Sequence, residues 1–175
     1  MTTSGSHQDL PDVSIVMNAH NSSEFLREAL ASVIGQSHES WEVILWDNAS
    51  TDDSRAIAAS FGDPRIRYFE VPEKVSLYES RMAAVGECRG SYLAFLDCDD
   101  TWMPNKVERQ LRAFEEPECV ISCTDFVISR EYRNEDQVKK VTSTFQTYRS
   151  PQRGALKVLR DYRLGMSSIM VRSSA

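Results

Sequence analysis

The sequence lacks the long apolar run of a membrane protein and is poor in glycine and proline. No apolar stretch approaches the roughly 18 to 20 residues that a transmembrane helix needs. The 175 residues include 7 glycines and 6 prolines, too few for a collagenous or low-complexity chain. Residues 1–11 are polar and contain no apolar signal-peptide core, which predicts a flexible tail and a cytoplasmic protein. The remaining composition is typical of one globular domain.

Cysteine is also scarce, and its spacing favours neither a disulfide scaffold nor a structural metal site. The chain has 4 cysteines, and thiols stay reduced in the cytoplasm. Cys119 and Cys123 are four positions apart, but the CVISC run around them is apolar and predicts a buried strand. Because structural zinc normally needs four nitrogen or sulfur ligands, we expect no zinc there.

Positive charge is scarce along most of the chain. The formal net charge is −6, but residues 1–138 carry 12 basic and 25 acidic side chains, whereas residues 139–175 carry 8 basic and 1 acidic. An acidic body disfavours nucleic-acid phosphates, and an anionic ligand there needs a local cation. Pro151–Tyr162 has the pattern of a basic amphipathic helix. Residues 151–163 are therefore predicted either to contact the inner face of the membrane or a lipid diphosphate acceptor, or to form a solvated outer face.

Short apolar runs alternate with helical patterns along the chain. The fourth run, Tyr92–Leu96, is almost wholly apolar, as in a strand buried on both faces. Asn21 or Ser22 is the candidate N-cap of the first helix. The order predicts an α/β fold with a mainly parallel sheet and helices on both faces. The predicted strands are Val13–Met17, Trp41–Trp46, Ile66–Val71, Tyr92–Leu96, Glu118–Ile128 and Ser167–Val171, and the predicted helices are Ser23–Ile34, 53–61, Ser76–Cys88, 104–114 and Pro151–Tyr162.

Polar segments follow three of the predicted strands, at the sheet edge where open α/β proteins bind ligands. These segments are Asn18–Asn21, Asp47–Asn48 and Asp97–Asp100. Three carboxylates within four residues repel one another, and a hard divalent cation relieves that repulsion. The last segment therefore predicts a Mg²⁺ or Mn²⁺ site, with Asp99 as a ligand. The alternative is that Asp99 or Asp100 only caps the following helix.

Together these segments resemble the inverting glycosyltransferases of family 2, which have the GT-A fold with a Rossmann-like nucleotide-binding half. The resemblance covers about residues 13–128. It implies one GT-A domain over residues 12–175 that transfers a sugar from a nucleotide-diphosphate sugar to a saccharide or lipid-linked acceptor hydroxyl. Cell-surface polysaccharide or glycoconjugate synthesis would be its setting. The motifs that carry it are VSIVMNAHN from Val13, SVIGQS from Ser32, WEVILWDNASTD from Trp41, Arg81, GSYLAFLDCDD from Gly90, and Met103-Pro104.

The resemblance also implies roles for single residues. Asp97 and Asp99 match the D-x-D motif of the family, in which the second aspartate ligates Mn²⁺ or Mg²⁺ and the first lies toward the ribose or the metal shell. Asp47 and Asn48 match the pair after the second strand, whose second member faces the base. The alternative for Asn48 is a simple turn former.

Two further positions of the family match are Asn18 and His20, which would lie against the base. The alternative for His20 is a contact at the start of the first helix. Arg81 matches an arginine on the third helix whose guanidinium suits phosphate oxygens, against the alternative of a solvated helix face. Lys74, Ser76 and Met82 replace the residues common in the family, so the donor sugar is not identified.

The catalytic base of the family is a carboxylate downstream of the last predicted strand. The resemblance therefore implies a base beyond Ala175 and a domain truncated at its C-terminus, and donor binding without transfer is an open alternative. A second alternative takes Asp97–Thr101 as the D-x-D-x-T motif of haloacid dehalogenase-type phosphatases, with Asp97 as nucleophile. That motif usually follows the first strand of its domain, whereas here it follows the fourth.

Overall fold

In a computed structural model of the chain, the structure describes residues 10–124, 126–134, 137–145 and 166–173. Strands and helices alternate as predicted through the first half. The elements are β1 (Val13–Ala19), α1 (Leu26–Ile34), β2 (Trp41–Asn48), α2 (Ser54–Ala59), β3 (Ile66–Val71), α3 (Leu77–Gly86), β4 (Tyr92–Phe95), α4 (Lys106–Ala113), β5 (Ile121–Cys123), β6 (Phe126–Asn134), β7 (Gln137–Phe145), a 3-10 turn (Met166–Ser168) and β8 (Ile169–Arg172).

Six strands form one sheet in the order β3-β2-β1-β4-β8-β5. Strands β1, β2, β3 and β4 are parallel, and Val13 of β1 lies opposite both Trp41 of β2 and Tyr92 of β4. Strand β8 runs antiparallel to both β4 and β5. The sheet is therefore mainly parallel, as the sequence predicts.

The two faces of the sheet pack against different helices. Ile15 and Met17 of β1 lie in a core with the apolar sides of α1, α2 and α4, whereas Val16 lies on the other face with Ile44 and with Ala84 of α3. Strand side chains alternate between faces, so a strand buried on both faces needs a continuous apolar run. The predicted helices on both faces are confirmed.

The predicted fifth strand, Glu118–Ile128, is wrong in its extent. Strand β5 has only three residues, and the chain from Phe126 joins a separate antiparallel pair, β6 with β7. Phe126 lies opposite Phe145, and Asn134 lies opposite Gln137. The chain after Ile128, for which the sequence predicts no element before Pro151, thus supplies the partner strand β7, and β6 pairs with it rather than with the six-stranded sheet.

The predicted capping of α1 is also wrong. The helix begins at Leu26 and has no side-chain cap. Asn21 adopts a positive φ of 52°, and its Oδ1 accepts a hydrogen bond from Thr51 N at 2.8 Å. Ser22 Oγ accepts from His20 N at 3.2 Å. Both candidate caps therefore serve the loop contacts after β1 and β2 instead of the helix.

Several predictions fall on parts of the chain that the structure does not describe. The predicted helix Pro151–Tyr162 lies outside the described residues, and so does the membrane or acceptor contact predicted for residues 151–163. Residues 1–9 of the predicted tail also lie outside them. Among the helices that are described, none has the length and apolar content to cross a membrane.

Candidate functional site

The carboxyl ends of three adjacent strands bring the predicted ligand residues to one edge of the sheet. Strand β1 lies between β2 and β4, and Asn18 lies opposite Trp46, two residues before Asn48. Leu96 N donates to Val16 O at 3.0 Å, so the pairing of β4 with β1 continues to the residue before Asp97. The polar residues that follow each apolar run are therefore neighbours in space.

Four of the predicted residues share the sheet face covered by α3. Asn18, Asn48 and Asp97 each come two positions after an apolar residue of the core beside α3, so the alternation of the strands gives them that face. Arg81 lies on α3, and its Nη2 is 3.0 Å from Asp97 Oδ1. This ion pair joins the helix to the D-x-D segment.

Asp97 experiences opposing electrostatic effects. Partial burial raises the pKa of Asp97, the positive charge of Arg81 opposes this, and the negative charges of Asp100 and Asp99 raise it further. The carboxylate remains half-exposed. A cation at this edge would lower that repulsion, since the acidic neighbours are all on one turn.

Asp99 is the carboxylate of this turn left without a hydrogen bond from the part of the chain that the structure describes. Asp100 Oδ2 accepts from Ser167 Oγ. Both Asp99 and Asp100 are exposed. Among the described residues, no group of three or more His, Cys, Asp and Glu side chains is arranged to hold a metal. A cation bound at Asp99 would therefore draw its other ligands from phosphate oxygens and water, as Mg²⁺ commonly does.

The amide of Asn48 is paired with the backbone of Val75. Asn48 Nδ2 donates to Val75 O at 2.9 Å, and Asn48 Oδ1 accepts from Val75 N at 2.9 Å. His20 Nδ1 lies 2.8 Å from Asn48 O, so Nδ1 carries the proton in this contact because a carbonyl only accepts. Asn48 therefore fixes the segment before α3, and one Oδ1 lone pair and one Nδ2 hydrogen are left for a ligand.

Asn18 has an unsatisfied donor. Its Nδ2 is buried and has no hydrogen-bond partner within the described chain. The backbone carbonyl oxygen of Asn18 accepts a hydrogen bond from Cys98 Sγ at 3.3 Å, which ties the end of β1 to the D-x-D segment. A buried donor without an acceptor is costly, so this position suits the carbonyl oxygen of a bound ligand.

Asp47 is not brought to this group. Asp47 is 1% exposed, and its side chain lies on the same face of β2 as that of Leu45, the face that packs against α1. Asp47 Oδ1 accepts from Ser50 N at 2.9 Å, and Oδ2 accepts from the hydroxyl of Tyr68. Burial, then the hydrogen bond to Asp47, raises the pKa of Tyr68 well above its usual range. Asp47 thus holds the turn after β2 in place.

Sequence reasoning missed two features that shape the site. Ser76 Oγ accepts from Glu79 N, and Glu79 reaches back to Ser76 N, a capping box that begins α3. The S-x-x-E spacing was a local signal for it. Ser167 contacts both Asp97 and Asp100, and because it lies 70 residues from Asp97, no local pattern indicates this contact.

The fold and this edge define an α/β domain with a carboxylate-bearing turn at the carboxyl ends of parallel strands. The chain belongs to glycosyl transferase family 2, whose family model matches residues 14–172. The predicted family is thereby confirmed, and the phosphatase interpretation of Asp97 is left without support.

Named relatives match part of the chain. TuaG of Bacillus subtilis, named for teichuronic acid biosynthesis, is 35% identical over 118 residues, which are 66% of this chain and 47% of TuaG. WfgD of Escherichia coli, a UDP-Glc:α-D-GlcNAc-diphosphoundecaprenol β-1,3-glucosyltransferase, is 32% identical over 99 residues, or 57% of this chain and 39% of WfgD. The chain thus spans less than half the length of these relatives.

Solved structures share the fold at low sequence identity. Residues 1–349 of TarS from S. aureus superpose with a TM-score of 0.69 at 17% identity, covering 93% of this chain and 47% of that one. The mannosyltransferase PcManGT of Pyrobaculum calidifontis, solved with GDP-Man and Mn²⁺, gives a TM-score of 0.60 at 20% identity, over 65% of this chain and 35% of that one. The predicted GT-A fold is confirmed.

Proposed function

We propose that the chain binds a nucleotide-diphosphate sugar at the edge of the sheet beside α3 and serves its transfer to an acceptor hydroxyl. The observation that carries this proposal is the convergence of Asn18, Asn48, Arg81 and Asp97 on one face at the ends of β1, β2 and β4. Open α/β sheets bind nucleotides at this edge. Family membership supplies the reaction class.

The base end of the donor is assigned to β1 and β2. The unpaired Nδ2 of Asn18 can donate to a base carbonyl, and the ring of His20 can stack on the base. The remaining lone pair of Asn48 Oδ1 can accept from a ring N–H. Asp47, buried behind this surface, acts by holding the turn after β2 rather than by touching the base.

The phosphate end is assigned to α3 and the D-x-D turn. Arg81 uses one nitrogen on Asp97, and the remaining guanidinium N–H groups are available for phosphate oxygens. Asp97 lies toward the ribose or the metal shell. The exposed carboxylate of Asp99, free of hydrogen bonds from the described residues, is a hard oxygen ligand of the kind that Mg²⁺ and Mn²⁺ take. A bound cation of this type neutralises charge on a leaving diphosphate.

The transfer that we propose is a single displacement with inversion. The acceptor oxygen forms a bond to the anomeric carbon while the bond from that carbon to the diphosphate breaks, and the acceptor proton passes to a general base. We propose that this base is the downstream carboxylate that the family resemblance implies, beyond Ala175. The name of WfgD contains both a UDP-sugar donor and a diphosphoundecaprenol acceptor, which favours a lipid-linked or saccharide acceptor and a role in polysaccharide or glycoconjugate synthesis.

Calorimetry with UDP, GDP and dTDP, each with and without Mn²⁺, tests the donor site. We expect one nucleotide to bind more tightly with Mn²⁺, and we expect Asp99→Asn to abolish the Mn²⁺-dependent gain because it removes the ligand charge. Asp53→Asn is the matched control, since Asp53 is exposed and its side chain makes no capping bond to α2. Absence of nucleotide binding, or a gain that survives Asp99→Asn, would contradict the site.

A transfer assay separates the two forms of the proposal. Turnover of the bound UDP-sugar or GDP-sugar onto a lipid-linked acceptor supports a transferase. Donor binding without turnover, rescued when the chain is extended past Ala175, supports a donor-binding part whose base lies further on.

A further inference from the structure

The hydroxyl of Ser167 joins the two ends of the turn that carries the D-x-D carboxylates. Asp97 N donates to Ser167 Oγ at 3.0 Å, and Ser167 Oγ donates to Asp100 Oδ2. The turn itself is closed by Asp100 N, which donates to Asp97 O at 3.0 Å. One hydroxyl from the segment before β8 therefore braces the turn at both ends.

Ser167 is itself held in place by α4 and the loop before it. Trp102 Nε1 donates to Ser167 O at 2.8 Å. Gln110, which is 1% exposed, donates from Nε2 to Ser168 O at 2.9 Å. Lys106 Nζ lies 3.7 Å from the centre of a Trp102 ring and donates to Gln110 Oε1 at 2.5 Å. These bonds hold the backbone carbonyls of Ser167 and Ser168 against Trp102 and α4, and they thereby place the Ser167 hydroxyl beside the turn.

The three carboxylates of the turn have three different environments as a result. Asp97 pairs with Arg81, Asp100 accepts from Ser167, and Asp99 accepts no hydrogen bond from the residues described. Three carboxylates of equal availability could bind one cation in several competing ways. The observed contacts leave one of them free.

We propose that Ser167 is a positioning residue for the cation of the donor site: it commits the Asp100 carboxylate to a bond within the protein and braces the turn that presents Asp99. This inference rests on the proposed function. Partners that orient metal ligands typically change metal affinity by 10- to 100-fold when removed. The hydroxyl, and not the volume of the side chain, is the feature that matters.

Titration of Mn²⁺ into the 175-residue chain at saturating UDP, followed by electron paramagnetic resonance of the free ion, tests this role. We expect Ser167→Ala to weaken Mn²⁺ binding about tenfold and Ser167→Thr to restore most of it, since threonine keeps the hydroxyl. Ser173→Ala is the matched control, because Ser173 is exposed at the other end of β8. Thermal melting of each variant shows whether it folds.

Asp100 provides an independent arm of the test. Asp100→Asn keeps an oxygen that can accept from Ser167, so we expect Mn²⁺ affinity within about twofold of wild type. If Asp100 were instead a metal ligand, Asp100→Asn would weaken binding as strongly as Asp99→Asn, and the inference would fall.

The failures of the two proposals are distinguishable. If the wild-type chain binds Mn²⁺ with UDP and Ser167→Ala binds it within twofold, the role of Ser167 is wrong and the donor site stands. If the wild-type chain binds no Mn²⁺ with any of the three nucleotides, the donor site is wrong and the role of Ser167 falls with it.

Discussion

At the scale of single residues, buried charges in this sheet have dedicated partners. Glu42, 5% exposed, accepts from Ser14 Oγ at 2.7 Å and from Arg67 Nη1 at 2.9 Å. It also accepts from Arg89 N at 2.7 Å. A buried charge is tolerated when it is paired and hydrogen-bonded. These groups lie at the end of the sheet opposite to the ligand edge, so their charges stabilise the fold and take no part in the site at Asp99.

Lys106 is the buried charge whose protonation we expect to affect stability near neutral pH. Burial lowers the pKa of Lys106 from 10.5 to about 7, with Cys123 acting in the opposite direction. An unfolded lysine keeps its proton up to about pH 10, so between pH 6.5 and 7.5 the Lys106 side chain binds more protons in the unfolded chain than in the folded one. Its contribution to stability should therefore rise with pH across this window, by up to about 1.4 kcal/mol per unit.

Urea unfolding from pH 6.5 to 7.5 measures this contribution. Lys106→Met keeps the apolar stem beside Trp102 and should remove the contribution, whereas Lys74→Met, on an exposed lysine, should retain it. The window ends near pH 7.5 because unfolded thiols begin to ionise above it. Burial raises the pKa of Cys98 to about 12, that of Cys88 to about 11 and that of Cys123, so the folded chain keeps protons that the unfolded chain loses and stability changes with the opposite sign. Equal slopes in wild type and Lys106→Met would show that Lys106 is charged in the fold.

At the scale of elements, the connection from α3 to β4 depends on one glycine. Gly90 N donates to Ser14 Oγ at 2.8 Å, and a Cβ on Gly90 would lie 2.6 Å from Ser14 N. Because that neighbour is backbone of the central strand β1, it cannot move aside as a side chain would. Gly86, at the end of α3, has no atom within 4 Å of its Cβ position.

The two glycines therefore predict opposite effects of the same substitution. Gly90→Ala should destabilise the fold by about 2 to 3 kcal/mol, through displacement of β1. Gly86→Ala should be neutral or stabilising by up to about 1 kcal/mol, because alanine favours a helix. Chemical denaturation of both variants measures the difference, and a Gly90→Ala variant as stable as wild type would mean that the contact with β1 is loose.

The elements that sequence patterns predict well are those with a strong local cause. The runs Val13–Met17 and Tyr92–Leu96 are mainly apolar because β1 is buried on both faces and β4 packs against a hydrophobic core on each of its faces. Asp97 stands out in the sequence because it directly follows such a run. The start of α1 was missed because Asn21 bonds to Thr51, 30 residues away. Contacts of this kind depend on the finished sheet and leave no periodic signal in the sequence.

At the scale of the whole molecule, the described chain contains two sheets with different support. In the six-stranded sheet, β1 is paired on both edges and its residues Val13, Ile15 and Met17 are fully buried. Strands β6 and β7 pair with each other in a sheet of two strands. A two-stranded sheet is marginally stable unless other packing supports it. Stability is therefore expected to differ between the two parts.

Hydrogen exchange of the native protein in low urea should separate these parts. We expect the amides of β1 and β2 to exchange only through global unfolding, because each strand is buried and has a partner on both edges. The β6–β7 amides should exchange through a smaller opening that is less sensitive to urea. The β4 amide of Ala94, which is buried and paired with Ile15 and Met170, is the internal reference and should follow β1. If the β6–β7 amides instead match Ala94 in free energy and urea dependence, the hairpin unfolds together with the main sheet, and the donor edge and the hairpin form one cooperative unit.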